Sequence, residues 1–331
     1  ITPSAVPSNT PRFQATWTLT PEVTEVVSVV TPLPPPPASL SGSLIAWSGR
    51  DVSQKGFLPL VMFPLNGDQP VQITDIVGAH PDISPDGQRV VYTRYFPATF
   101  DFGISQINLT SGDNQPMMQG APVLKPQMPY YCAVASLITF VALPTDNREI
   151  NFSDNNIQAF QVYMLNLDSG QYDRLTNDPA VYTYPAFSPD CSRIAVVRND
   201  ARGTSPGEDI VLIDVVTRTQ TSFTNDLGNF VESAPRWSAD GSQLIYAAYQ
   251  ATTPGNNDII IRQVDGSGSP MVPVRDLADD INPVFSSDGA YIAFSSNRAG
   301  TYDLFVYEQA TQTTYQLTSS GDDDYAWSWK P

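Results

Sequence analysis

The sequence predicts an all-β chain built from repeated four-stranded antiparallel blades. Three observations carry this. Four segments share one strand–turn–strand pattern at a blade-sized spacing, the two chain ends complement one another, and Lys is limited to Lys55, Lys125 and Lys330, so helical faces of Glu, Lys and Leu are scarce. Tyr, Phe, Thr and Val, the residues that suit a pleated surface, are abundant.

In chain order, residues 1–39 come first and differ from everything after them. ITPSAVPSNTPRFQ is rich in Pro, Ser and Thr, TWTLTPEVTEVVSVV reads as extended, and TPLPPPPAS is a polyproline spacer. This is an arm and linker. Trp17 and Leu19 alternate with threonines as a half-buried strand does, and Val23, Val27 and Val29 continue the β-prone character. Thirty-nine extended residues reach at most ~130 Å, whereas a compact domain of this size has a radius of gyration of about 19 Å. The arm is long enough to leave its own domain.

The repeats occupy residues 40–331. PDISPDGQRVVYTRY starts at Pro81, PAFSPDCSRIAVVRN at Pro185, PRWSADGSQLIYAAY at Pro235 and PVFSSDGAYIAFSSN at Pro283. A weaker copy, PQMPYYCAVASLITFVAL, is read from Pro126 with a turn two residues longer, so that successive starts lie 45, 59, 50 and 48 residues apart. Each copy is followed by two more strand signals, for example DLFVYEQATQ and then TTYQLTS. Asp-Gly supplies the positive φ that a short hairpin needs, and the leading Pro fits where no ladder N–H is required. Asp86, Asp240 and Asp288 are therefore turn residues.

The ends close the count. DDDYAWSWKP reads as a first strand with no second, and SLIAWSGR as a second strand with no first. Joining Tyr325–Trp329 to Ser43–Ser48, and adding strands near Leu58–Leu65 and Val71–Thr74, completes a sixth blade and removes the open edge of the array.

These segments resemble the TolB-type repeat, roughly P-x-[FW]-S-P-D-G-x-x-[IL]-A-[FY] with a later D-[IL]-[FYV] and L-T. The resemblance covers about residues 40–331 and implies a six-bladed β-propeller. TolB proper carries an α/β domain where this chain has its Pro-rich arm.

Composition limits the function. With 17 basic against 34 acidic side chains and a formal net charge of −17, a basic nucleic-acid or membrane surface is excluded. No apolar run approaches the ~18 residues of a membrane helix. The chain starts at Ile1 without Met, which reads as a processed, exported protein of the periplasm, cell surface or extracellular space. Cys132 and Cys191, the two cysteines, fall in the turns of neighbouring blades, where they form either a disulfide or two separate thiols.

Candidate chemistry is sparse. GTSPG at residues 203–207 spells a nucleophile elbow around Ser205, but a strand follows where a helix is needed, and the single histidine, His80, precedes Pro81. Asp279 and Asp280, and the run Asp322, Asp323, Asp324, read as solvated loops or as calcium ligands. Asn108-Leu-Thr110 and Asn151-Phe-Ser153 have the form of glycosylation sequons. Tyr95, Phe96, Phe100, Phe102 and Phe152 lie on loops of one face, where aromatic side chains serve recognition.

The expected function is a non-catalytic exported structural or interaction protein, self-assembling into an oligomer or filament through arm contacts by Trp17, Leu19, Val23, Val27 and Val29. Two alternatives stand beside it. One is an envelope or extracellular module binding protein, peptide or glycan with the arm as a stalk; the other is a propeller enzyme or peptidase accessory domain. No cofactor is expected.

Overall fold

The computed structural model describes residues 33–49, 58–96, 101–118, 123–145, 160–200, 208–225, 229–319 and 321–330. The arm residues Trp17, Leu19, Val23, Val27 and Val29, together with Phe100, Phe152, Ser205 and the Asn151 sequon, lie outside the described residues. Leu33–Pro331 forms one compact unit. Among the described residues no helix is long and apolar enough to cross a membrane.

The strands follow one another as antiparallel meanders. Ser43–Gly49 (β1) pairs with Leu58–Pro64 (β2), and β2 with the first half of Val71–Ile83 (β3). The second half of β3 pairs with Arg89–Phe96 (β4), followed by Asp101–Asn108 (β5) and Asn114–Pro116 (β6). Val123–Tyr131 (β7), Leu137–Pro144 (β8), Gln161–Asn166 (β9) and Tyr172–Arg174 (β10) make the next sheet. Then come Val181–Phe187 (β11), Arg193–Asn199 (β12), Glu208–Asp214 (β13) and Gln220–Ser222 (β14). Phe230–Trp237 (β15), Gln243–Gln250 (β16), Asp258–Gln263 (β17) and Met271–Val274 (β18) repeat the order, as do Asp280–Phe285 (β19), Tyr291–Ser296 (β20), Asp303–Glu308 (β21) and Thr313–Gln316 (β22). The last strand, Asp323–Lys330 (β23), returns to β1, with pairs running from Ser43↔Lys330 to Gly49↔Asp323. The two extremities thus share one sheet.

The first hairpin of four of the repeats is held by side chains local to its turn. Ser188, Ser238 and Ser286 donate their hydroxyls to Asp190, Asp240 and Asp288 at 2.6 Å, and Ser84 does the same to Asp86. The same aspartates accept the backbone N–H of Gln88, Ser192, Ser242 and Ala290. These hydrogen bonds hold the Asp190, Asp240 and Asp288 carboxyls below their usual range, Asp240 at about 2. Gly87, Gly241 and Gly289 follow at φ 67°, 72° and 70°, and Cys191 occupies the equivalent position at 59°.

Two sequence expectations shift. The leading proline does not precede the first strand but sits within it, at a bulge. His80, Met128, Tyr184, Ala234 and Asn282 each precede a proline at φ between 48° and 56°, and the register shifts at each site. The proline still lacks a ladder partner, which is why it fits. Second, the weak copy aligns from Pro129, not Pro126. Tyr131 pairs with Ile138 as Phe187 pairs with Ile194, and Cys132 N–H bonds to Leu137 O as Ser188 N–H bonds to Arg193 O, so its turn is no longer than the others.

The later D-[IL] and L-T signals have a joint role. Leu304, Ile210 and Val162, near the start of third strands, donate their N–H to Thr318, Thr224 and Thr176 at 2.9, 2.7 and 3.0 Å. In these three blades the threonine ties the outer edge to its neighbour strand. Apolar side chains fill the space between adjacent sheets, as where Cys132, Val141 and Val162 meet Tyr182, Phe187 and Ile194. Leu40, at the end of the polyproline spacer, is buried with Leu44 and Tyr291, and the Ser39 and Tyr291 hydroxyls share a 2.8 Å hydrogen bond.

Candidate functional site

The bulges bring side chains from inner strands of different sheets to one place. Position x of P-x-[FW]-S carries Asp82, Tyr130, Ala186, Arg236 and Val284, with Ser328 equivalent in β23. Asp82 accepts hydrogen bonds from Ser328 Oγ at 3.0 Å and from Tyr131 N–H at 2.8 Å. The Arg236 guanidinium carbon lies 4.3 Å from the Trp327 ring centre and 5.2 Å from that of Tyr130. His80 is enclosed by the rings of Trp327, Trp47 and Tyr184, at 4.9, 5.3 and 6.2 Å.

Arg236 is 3% exposed and Asp82 5%, so this axis is a packed plug. Its electrostatics follow from burial. Burial raises Asp82 to about 6, although the Tyr131 N–H and the Arg236 charge pull the other way. Burial and the Arg236 charge lower His80 to about 3. Burial also lowers Arg236, against the pull of Tyr130 and Asp82. The one histidine, half-buried among aromatic rings, is held neutral over the ordinary pH range, too weakly basic to serve as a general base there.

A second polar concentration lies at the opposite end of the blades from the Ser-Asp hairpins, along β17, β19, β21 and β23. Asp279 accepts from Asn257 N–H at 3.0 Å, from Asn257 Nδ2 at 2.6 Å and from the Tyr302 hydroxyl. Asp280 pairs with Arg298 at 2.8 Å, and Arg298 also reaches Asp276 at 3.1 Å. Asp323 accepts from Tyr302 N–H at 3.1 Å and Asp324 from the Ser48 hydroxyl. Among the described residues no group of three or more His, Cys, Asp or Glu side chains is disposed to hold a metal ion. These carboxylates serve the protein's own donors.

Beside this rim, between β2 and the segment after β22, lies a cleft of about 430 Å³. Val61, Phe63 and Leu317 give it apolar walls, and Thr318, Asp322 and Asp324 a polar one.

Of the aromatic loop residues, Tyr95 and Phe102 face each other across β4 and β5, and Phe96 is paired with Asp101. Arg94 lies 4.9 Å over the Phe96 ring and Lys125 5.9 Å over that of Phe102. All three aromatics are half-buried, with Tyr95 and Phe102 on one face of the β4–β5 hairpin and Phe96 on the other. Cys132 and Cys191 are joined as a disulfide, with Cα atoms 5.6 Å apart, linking the hairpin of β7 and β8 to that of β11 and β12.

Sequence reasoning missed Asp82, Arg236 and Trp327 as one group. The signal was the free position x, where Asp and Arg stand among apolar residues in an inner strand. It missed the cleft entirely, because its walls come from both ends of the chain.

No family model matches the chain. Over 165 residues, half of its length, the chain is 28% identical to a TolB homologue of Chlorobium luteolum, and the match spans 35% of that protein. In three dimensions it resembles TolB from Acinetobacter baumannii over 88% of this chain and 67% of that one, with a TM-score of 0.69 at 18% identity. A putative TolB from Agrobacterium tumefaciens matches 87% of this chain and 99% of its own, at 0.60 and 15% identity. The hydrazine synthase of Kuenenia stuttgartiensis matches 88% of this chain and 47% of its own, at 0.68 and 13% identity, so the fold itself carries unrelated functions. With its P-x-[FW]-S repeat, its four-stranded sheets and these likenesses, the chain has a β-propeller fold similar to that of TolB proteins.

Proposed function

We propose that this protein is a non-catalytic interaction module of the cell envelope, acting in the periplasm, with six blades closed by β23. The observation that carries the reading is the double likeness to TolB proteins, in sequence over half of the chain and in fold over 88% of it. The Cys132–Cys191 bridge favours an oxidising compartment. The burial of Asp82 and Arg236 and the low basicity of the half-buried His80 favour binding over catalysis. The loop end of the blades, with Tyr95, Phe96 and Phe102, is the surface assigned to partners, and these are proteins. Self-assembly through the arm adds nothing that the described residues support, and the proposal does without it.

Photo-crosslinking in cells tests this. A benzoylphenylalanine at Tyr95 or Thr253, on the loop end, should give discrete protein adducts in the envelope fraction, and one at Ser267, on the hairpin end, should give few. Recovery of the chain in the cytosol, or no adduct from any position, would refute it.

A further inference from the structure

We propose that Asn66, in the turn joining β2 to β3, is a self-modifying site. Its side-chain amide is converted to a carboxyl by attack of the Gly67 backbone nitrogen, giving aspartyl and isoaspartyl linkages before any other described asparagine reacts. The inference is independent of the function proposed above.

Asn66-Gly67 is the one Asn-Gly pair in the sequence. Asn66, Gly67 and Asp68 are all exposed, so water reaches the turn freely. Gly67 lies at φ 90°, and a Cβ placed on it would touch nothing within 4 Å, so its surroundings leave room for the backbone to turn. Asp68 holds the amide at both ends: its N–H donates to Asn66 Oδ1 at 3.1 Å, and its carboxylate accepts from Asn66 Nδ2 at 2.8 Å. The first of these contacts polarises the side-chain carbonyl and is placed to stabilise the oxyanion that attack creates.

Sister turns set Asn66 apart. Asn108 and Asn166 stand in the equivalent turns after β5 and β9, and their Oδ1 atoms accept backbone N–H groups in the same manner. There the following residue is leucine, and its N–H is already committed to the neighbouring hairpin: Leu109 to Gln88 O and Leu167 to Ser136 O, each at 2.8 Å. Asn256 is followed by Asn257, whose N–H is bound by Asp279 at 3.0 Å. Among the described residues no neighbouring hairpin holds the Gly67 N–H in this way.

The chemistry balances with water as its sole co-reactant. The Gly67 nitrogen loses its proton to solvent and bonds to Asn66 Cγ, while Nδ2 leaves with a proton as ammonia and a cyclic imide closes. Attack within one short segment is favoured by enforced proximity. Water then opens the imide. Cleavage between Cγ and the Gly67 nitrogen leaves aspartate; cleavage between that nitrogen and the Asn66 carbonyl carbon leaves isoaspartate, with a free α-carboxylate. Either product places a new negative charge beside Asp68. The isoaspartyl form also lengthens the turn next to Leu65, which is buried and donates its N–H to Gly42 O at 2.9 Å. Water does not restore the amide, so the converted fraction records the age of the molecule.

Ageing the purified full chain at mildly alkaline pH, followed by peptide mapping with electron-transfer fragmentation, reads the site directly. Methyl uptake from S-adenosylmethionine by a purified isoaspartyl methyltransferase reads the linkage. Residue 66 should be the first described position to gain an acid, and Asn66→Gln, an exposed change, should lose most of the methyl uptake. Leu109→Gly puts a glycine after Asn108 with its N–H still held by Gln88, and conversion there should fall well behind that at Asn66. Earlier conversion of another described asparagine, or undiminished methyl uptake by Asn66→Gln, overturns the site. Equal conversion at Asn108 in Leu109→Gly overturns the part assigned to the uncommitted Gly67 N–H.

Discussion

The Arg236 guanidinium of β15 sits 4.3 Å from the ring of Trp327 in β23, so the strand that pairs with β1 also covers a cation that is only 3% exposed. Arg236 donates to the Pro235 carbonyl at 2.9 Å, and its charge acts on Asp82 across the axis. Charge and aromatic face compensate a desolvation that neither offsets alone.

Arg236→Met therefore tests a buried charge by removing it. Breaking such an arrangement leaves Asp82 without its positive neighbour, at a cost of about 3 kcal/mol. Urea unfolding of Arg236→Met, Asp82→Asn and the double variant should show positive coupling, the second change costing less once the first is made. A single-variant loss below about 1 kcal/mol would make the plug incidental.

The dependence on pH has a definite sign. Asp82, Asp258 and Asp303 are each raised to about 6 by burial, from an ordinary 3.8. The folded state therefore binds their protons more tightly, and they add stability as pH falls from about 6 towards 4. His80, lowered to about 3 from 6.5, acts oppositely: its contribution is full above 6.5 and is lost as pH falls towards 3. Three carboxyls against one imidazole predict a higher urea midpoint at pH 5 than at pH 7.5. The difference should persist at high salt, where surface repulsion is screened. His80→Gln should steepen the rise and Asp303→Asn should flatten it; a midpoint that only falls on acidification contradicts the assignment.

The fold was largely legible because its signals are local. Ser84, Asp86 and Gly87 specify a hairpin from within five residues, and the same set recurs at Ser238 and Ser286. The weak third copy was misplaced by three residues because Pro126 and Pro129 both follow a positive-φ residue, Lys125 and Met128, and Cys132 replaces the hairpin serine. Only pairing with β8 decides between them. The axis and cleft were illegible for a different reason. Asp82, Arg236 and Trp327 meet only after the ring closes, and nothing near any of them in sequence names the others.

The disulfide closes a 59-residue separation between adjacent blades. Loop entropy alone gives it about 4 kcal/mol in the chain-entropy treatment. Cys132→Ala, Cys191→Ala and the pair should lose similar stability under oxidising conditions and match the reduced wild type when thiols are present. Cys191 holds φ 59° where sister repeats have glycine. Cys132→Ala with Cys191→Gly should therefore exceed the double alanine variant by about 1 kcal/mol. Identical midpoints for these two would show that the turn carries no strain.

Closure by β23 predicts a loss that is cooperative and reversible. Deleting residues 323–331 leaves β1 with an unpaired edge from Ser43 to Gly49. It also removes the Trp327 ring from Arg236 and the Ser328 hydroxyl from Asp82, opening the axis from the side. The truncated chain should lose near-UV dichroism, and its exposed edge should drive association visible by light scattering. Its defect is specific in register, so a synthetic peptide spanning residues 321–331 added in trans should restore the signal, and the same peptide with Trp327 replaced by Ala should restore it poorly. A truncated chain that unfolds at the wild-type midpoint would mean that the ring holds without its latch, and the stability attributed to the Arg236 plug would then have to come from strands β3, β7 and β15 alone.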